Sequence, residues 1–150
     1  MMRRVDRKVG TDEALKFLSD GEYGVLSLCC ENNPYGIPLN YCVIENNIYF
    51  HCAVEGKKIE YLAKNPNASF CVVKSAKILP DKFATSYESV IVFGKINEVC
   101  GAEKKGALVG LIKKYSSEFI ESGVEYIERL IDVTKVFRLS IEDISGKARR

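Results

Sequence analysis

The run Tyr35-Gly36-Ile37-Pro38-Leu39-Asn40-Tyr41 leads through Ile48-Tyr49-Phe50-His51-Cys52-Ala53 into Glu55-Gly56-Lys57-Lys58-Ile59-Glu60-Tyr61-Leu62. Its apolar pattern predicts one strand over Ile37 to Ile44 and a second over Ile48 to Ala53. Asn46-Asn47 between them tolerates positive φ and suits a tight hairpin. The alternation then stops, and Ile59, Leu62 and Ala63 fall at helical spacing, so a helix opens at Gly56-Lys57-Lys58. Two lysines in a first turn oppose the helix macrodipole. Two readings stand: solvated side chains, as at most helix ends, or an anion site, because the free N–H groups of a helix start also suit a phosphate. Pro38 interrupts a strand it cannot fully hydrogen-bond, which predicts an edge or a bulge. Asn40 is polar between Leu39 and Tyr41, and His51 is the only histidine. Together these residues suggest a hairpin that carries a flat ligand on its face and delivers a phosphate to Lys57 and Lys58.

Upstream, Thr11 is the expected N-cap of a short helix with Asp12 and Glu13 in its first turn. Its stripe of Ala14, Leu15 and Leu18 ends near Asp20-Gly21. Tyr23 to Cys30 reads as a strand and Glu31-Asn32-Asn33-Pro34 as the turn that follows. Short turns between successive strands predict antiparallel pairing. Downstream, Asn65-Pro66-Asn67 stops the helix, and Ala68 to Val73 is another strand. Lys74 to Phe83 has no clear period and reads as a long loop. Thr85 to Cys100 is a long extended segment in which Gly94 marks a bulge. Leu108, Leu111, Ile112 and Tyr115 define one helix face. Val124, Ile127, Leu130 and Ile131 define another after a break at Ser122-Gly123. Val136 to Ile141 is the last strand, with Phe137, Leu139 and Ile141 on one face. The expected fold is mainly β: one domain over residues 1–150, built as a six-stranded antiparallel barrel, closed or nearly so, with peripheral helices.

At 150 residues, 47% hydrophobic and 28% charged, the composition is that of an ordinary globular chain. A net charge of +2 is too small to argue for a nucleic-acid partner. No apolar run approaches the roughly 20 residues that span a bilayer, and the N-terminus lacks a signal-like segment, so a cytoplasmic location is expected. The six cysteines include no Cys-x-x-Cys pair, and one histidine cannot complete a mixed zinc site. Buried, reduced thiols are expected, with no metal. Neither a G-x-G-x-x-G nor a P-loop is present.

The order and spacing of these segments resemble the FMN-binding split barrels related to pyridoxamine 5′-phosphate oxidase, and more narrowly their nitroimidazole-resistance branch. Five segments carry the resemblance: Arg3 to Arg7, Tyr35 to Tyr41, Ile48 to Lys58, Thr85 to Lys95, and Ser145-Gly146-Lys147. It implies FMN as cofactor, with Pro38, Leu39, Asn40 and Tyr41 at the flavin edge. His51 and Ala53 would lie near the ring and ribityl chain, and Gly56, Lys57 and Lys58 at the phosphate. Ser86, Tyr87, Ser89 and Val90 would border the flavin from the long strand. A homodimer with the flavin at the subunit interface is implied, with Val90 and Val92 hidden there. The implied activity is that of an FMN-dependent oxidoreductase, such as a nitroreductase, acting on a small-molecule substrate with a nicotinamide donor. A non-catalytic flavin-binding or sensor protein, or a relative using heme or deazaflavin, remains an alternative. His51 is read either as a catalytic group lining the flavin or as a structural histidine at the barrel rim.

Overall fold

The segment expected as one strand from Ile37 to Ile44 divides at Asn40-Tyr41, and its halves become opposite edges of one sheet. In the computed structural model, which describes residues 1–150, β1 (Gly24–Cys30) pairs with β2 (Asn33–Leu39), while β3 (Cys42–Ile44) pairs with β4 (Asn47–Ala53). With β5 (Asn67–Leu79), β6 (Ala84–Val99) and β7 (Thr134–Arg149), the spatial order is β2-β1-β5-β6-β7-β4-β3. Every pairing is antiparallel. The barrel therefore has seven strands rather than six, and it is open at a seam that the chain crosses at Asn40-Tyr41.

Period-2 alternation decides which side of each strand meets the core. Leu26 and Leu28, Ile48 and Phe50, Phe70 and Val72, Val90 and Val92, and Phe137 and Leu139 all point inward into one cluster. Partly buried Tyr35, Ile37, Leu39 and Val43 from the two edge strands pack against it, so the sheet wraps its own core. Helix α1 (Thr11–Asp20) closes one end with Ala14, Phe17 and Leu18. Gly10 is its N-cap, and Thr11 is already helical. Helix α2 (Lys57–Lys64) begins where expected, and its Ile59 and Leu62 pack on the same cluster.

A second cluster lies on the outer side of the sheet. Helices α3 (Gly101–Tyr115) and α4 (Ile120–Leu130) cover Cys42, Tyr49, Val99 and Val136 with Ala107, Leu108, Leu111 and Ile127. The expected break at Ser122-Gly123 lies inside α4, and the chain turns earlier, between Tyr115 and Ile120. Gly123 serves packing: a Cβ there would stand 2.5 Å from Ile112 Cγ2, so the two helices approach too closely for a side chain.

Several boundaries differ from the sequence reading for identifiable reasons. Both short hairpins turn on residue pairs at positive φ: Glu31-Asn32, inside the turn expected over residues 31–34, and Glu45-Asn46, one residue earlier than the Asn46-Asn47 pair suggested. Lys74 to Phe83 is not a loop. The residue Lys74 is bulged, and pairing resumes from Ser75↔Glu88 to Leu79↔Ala84, so β5 and β6 extend as an arm closed by a 3-10 turn at Pro80–Lys82. The last strand runs to Arg149 along β6, with a register shift at Phe93/Gly94 where a bulge was expected. All six cysteines are free, but only Cys42 and Cys52 are buried; Cys29 and Cys100 are exposed. No helix is long and apolar enough to cross a membrane.

Candidate functional site

The residues that begin α2 meet the end of β4 at a point where the helix has no side-chain cap. Gly56 is the N-cap at φ 135, a conformation that suits glycine, and a Cβ there would meet nothing within 4 Å. Uncapped N–H groups in this first turn are free to meet an anion. The two lysines diverge. Lys57 Nζ lies 4.7 Å from the ring centroid of Tyr35 and 5.7 Å from that of Tyr61, two rings that contact each other at 5.3 Å. Lys58 instead acts on β4: its charge adds to the burial that lowers the His51 pKa, and it partly offsets the burial that raises the Cys52 thiol.

His51 projects from the same side of β4 as Tyr49, away from the barrel core and toward α3 and α4. It is exposed by surface area, yet its ring contributes to a small cavity of about 130 Å3 with Leu111, Ile112, Tyr126, Ile127 and Thr134. Enough protein surrounds the imidazole that burial is the main reason its pKa falls below the usual 6.5, with the Lys58 charge second. Both causes favour the neutral imidazole, in which one ring nitrogen donates a hydrogen bond and the other accepts one.

The other expected site residues fall into three places. Ala53 is exposed at the end of β4, beside the α2 start. Pro38 is exposed on β2 opposite Val25, across the seam, while Leu39 packs partly on the core. Asn40 is exposed, whereas Tyr41 is fully buried and its hydroxyl donates to the Leu18 carbonyl. On the long strand, the Ser86 hydroxyl donates to the Arg149 carbonyl at 2.8 Å, and the Tyr87 hydroxyl accepts from Arg7 Nη1 at 3.3 Å. Ser89 lies between Val73 and Lys147 in the sheet.

Val90 and Val92 require a correction. Both are completely buried in the barrel, so neither is available to an interface; Ile91 and Phe93, 41% and 52% exposed, face outward instead. The chain thus brings His51, Ala53, Gly56 and Lys58 together, and leaves Pro38 and the β6 residues on separate faces. A larger cleft lies elsewhere: about 820 Å3 between α3 and β3, lined by none of the expected residues. Lys114 lines that cleft, but a lysine beside one apolar helix face reads locally as solvated, and no pattern in the sequence signals its burial.

A family model described as pyridoxamine 5′-phosphate oxidase matches residues 10–148. An uncharacterized protein of Rhizobium meliloti (strain 1021) is 25% identical over 150 residues, covering 95% of this chain and 94% of that protein. Among solved structures, a proposed 5-nitroimidazole antibiotic resistance protein from Bacteroides thetaiotaomicron is similar at TM-score 0.75 and 22% identity, over 93% of this chain and 85% of that one. The FAD and heme binding protein of Mycobacterium smegmatis has TM-score 0.84 and 16% identity, over 96% of this chain and 74% of that one. A FAD-binding protein of Mesorhizobium loti has TM-score 0.68 and 24% identity, over 96% of this chain and 98% of that one. These likenesses show the same fold, and the family match spans all seven strands and all four helices. On that ground the chain belongs to the pyridoxamine 5′-phosphate oxidase family.

Proposed function

We propose that the protein is an FMN-binding flavoprotein, working as a homodimer and acting as an FMN-dependent oxidoreductase on a small substrate. One observation carries the reading: an uncapped helix start with Lys58 beside it, adjoining a neutral histidine on the neighbouring strand. The N–H groups of α2 and the Lys58 ammonium suit a phosphate through charge-assisted hydrogen bonds. The open space at Gly56 leaves room for it. A bound flavin supplies the hydride chemistry, which no side chain of this site provides. His51 contributes a proton or a hydrogen bond to substrate at a ring nitrogen, and α3 and α4 shield one side of it from water. Nitroaromatic compounds reduced at the expense of a nicotinamide donor are the first substrates to test. The similarity to FAD-binding proteins supports a flavin in general, and the phosphate site favours a phosphorylated flavin such as FMN over riboflavin.

Dimerisation completes the site, because Pro38 and the β6 residues lie on faces apart from His51. The outward row of Val25, Ile91 and Phe93, continued by Val73 and by Ile78 and Phe83 on the arm, is the apolar surface a second copy would cover. Phe83 is 98% exposed.

The test is an absorption spectrum of the purified protein, followed by fluorescence titrations with FMN and riboflavin. Lys58→Ala should weaken FMN about tenfold to a hundredfold, the loss of one charge-assisted bond. Lys57→Ala should cost less, since Lys57 is engaged with Tyr35 and Tyr61. Riboflavin, which lacks the phosphate, should ignore both changes. Equal losses for the two ligands would assign the lysines to folding, and a heme Soret band would overturn the cofactor.

A further inference from the structure

We propose that the groove between α3 and β3 binds an amphipathic anion, a carboxylate on an apolar body, with Lys114 as its anchor. The cleft of about 820 Å3 falls in the size range of small-molecule sites. Cys42, Val43 and Ile44 line it from β3, and Lys105, Val109 and Lys113 line it from α3. Gly106 and Gly110, one helical turn apart, hollow the α3 wall. A Cβ at Gly106 would meet nothing within 4 Å, whereas one at Gly110 would touch Cys42 Sγ at 3.1 Å. Two glycines inside a helix are unfavourable relative to alanine, so this trough is kept at some cost in helix stability.

Lys114 is the second, independent observation. Its Nζ is buried and has no hydrogen-bond partner. It sits 3.6 Å from the centroid of the Tyr41 ring and 5.2 Å from that of Tyr115. The two tyrosines are held in place, since Tyr41 N–H donates to Tyr115 Oη at 3.1 Å and the Tyr115 hydroxyl donates onward to the Glu22 carbonyl. An aromatic face stabilises a cation but accepts none of its three N–H bonds in the plane of an ordinary acceptor. Burial accordingly lowers the Lys114 pKa to about 8. The nearby acid, Asp20, is shared with Lys74 at 3.9 Å, and Lys105 has Glu128 at 4.0 Å; Lys113 and Lys114 form no ion pair. An incoming carboxylate supplies the missing acceptor when the flexible Lys114 stem swings its amine off the Tyr41 ring into the groove, and its apolar body covers Ile44 and Val109. This site shares no lining residue with those proposed for the flavin; Asn40 belongs only to an adjoining cleft that Lys114 also lines.

Calorimetry on the whole protein with octanoate, and with octanol as its uncharged counterpart, tests the assignment. Octanoate should bind the parent at least tenfold more tightly than octanol. Lys114→Met, which keeps the stem and removes the charge, should reduce octanoate to the octanol level. Gly106→Leu, built into open space, should abolish binding of both. FMN titrations of the two variants should match the parent. Equal affinity for octanoate and octanol in the parent overturns the proposal, as does undiminished octanoate binding to Lys114→Met. Displacement of octanoate by FMN also overturns it, because the groove would then be part of the flavin site. A protein that binds octanoate as expected but no FMN would refute the flavin reading alone.

Discussion

Ser140 presents its backbone carbonyl oxygen to Gly94 so closely that a Cβ on Gly94 would stand 2.0 Å away. The contact lies at the register shift where β6 and β7 change partners, with Phe93 opposite Asp143 and Gly94 opposite Ile141. Glu142 is thus the extra residue on β7, and the bulge bends the longest pairing in the sheet around the core. Glycine is required here for space, not for φ.

Gly94→Ala should therefore destabilise the fold by about 3 kcal/mol, the upper end of the usual cost of overpacking. Urea unfolding would show a lower midpoint. An unchanged midpoint would mean that the two strands part freely at this point.

Tyr41→Phe isolates one buried hydrogen bond. The hydroxyl donates to the Leu18 carbonyl in the last turn of α1, tying the helix to the residue that crosses the seam. Removing it leaves that carbonyl without this donor and should cost about 1–2 kcal/mol. The denaturation slope should stay constant, since the phenyl ring still fills its place against Phe70.

His51 can be titrated alone by NMR, being the only histidine. Its pKa should lie below that of a free imidazole because burial and then Lys58 disfavour the charged form. Lys58→Met should raise it toward the ordinary value without reaching it, because burial remains. The linked stability has a definite sign. Below about pH 6.5 the unfolded chain takes up this proton more readily than the folded one, so His51 opposes folding in acid and is neutral in its effect above that range. A pKa unaffected by Lys58→Met would separate the two residues.

The outward row on β6 separates association from folding. Ile91→Glu with Phe93→Glu should yield a folded monomer with weakened FMN binding, read by sedimentation and flavin titration. Val92→Ala, one residue away but wholly inside the barrel, should instead destabilise the fold by about 2 kcal/mol through the cavity it leaves. If the double glutamate variant still sediments as a dimer with FMN bound, the interface lies on another face.

The sequence by itself determined the strand and helix periods, the opening of α2 at Gly56-Lys57-Lys58, the irregular pairing at Gly94 and the inward face of Phe137, Leu139 and Ile141. These are properties of neighbours a few residues apart, and alternation or helical spacing expresses them directly. Only the tertiary structure decided where the barrel opens. Asn40 and Tyr41 look locally like the middle of a strand, and they become a crossing because Leu39 finds its partner in β1 while Cys42 finds its own in β4. The β5–β6 arm was hidden for the same reason: residues 75 to 79 have no period of their own, and their cross-strand partners impose the extended form. Long-range pairing likewise chose which residues of β6 face inward, turned Lys57 toward Tyr35 and Lys58 toward His51, and buried the amine of Lys114 over Tyr41. A side chain's surroundings depend on segments distant in the chain, and local pattern carries no record of them.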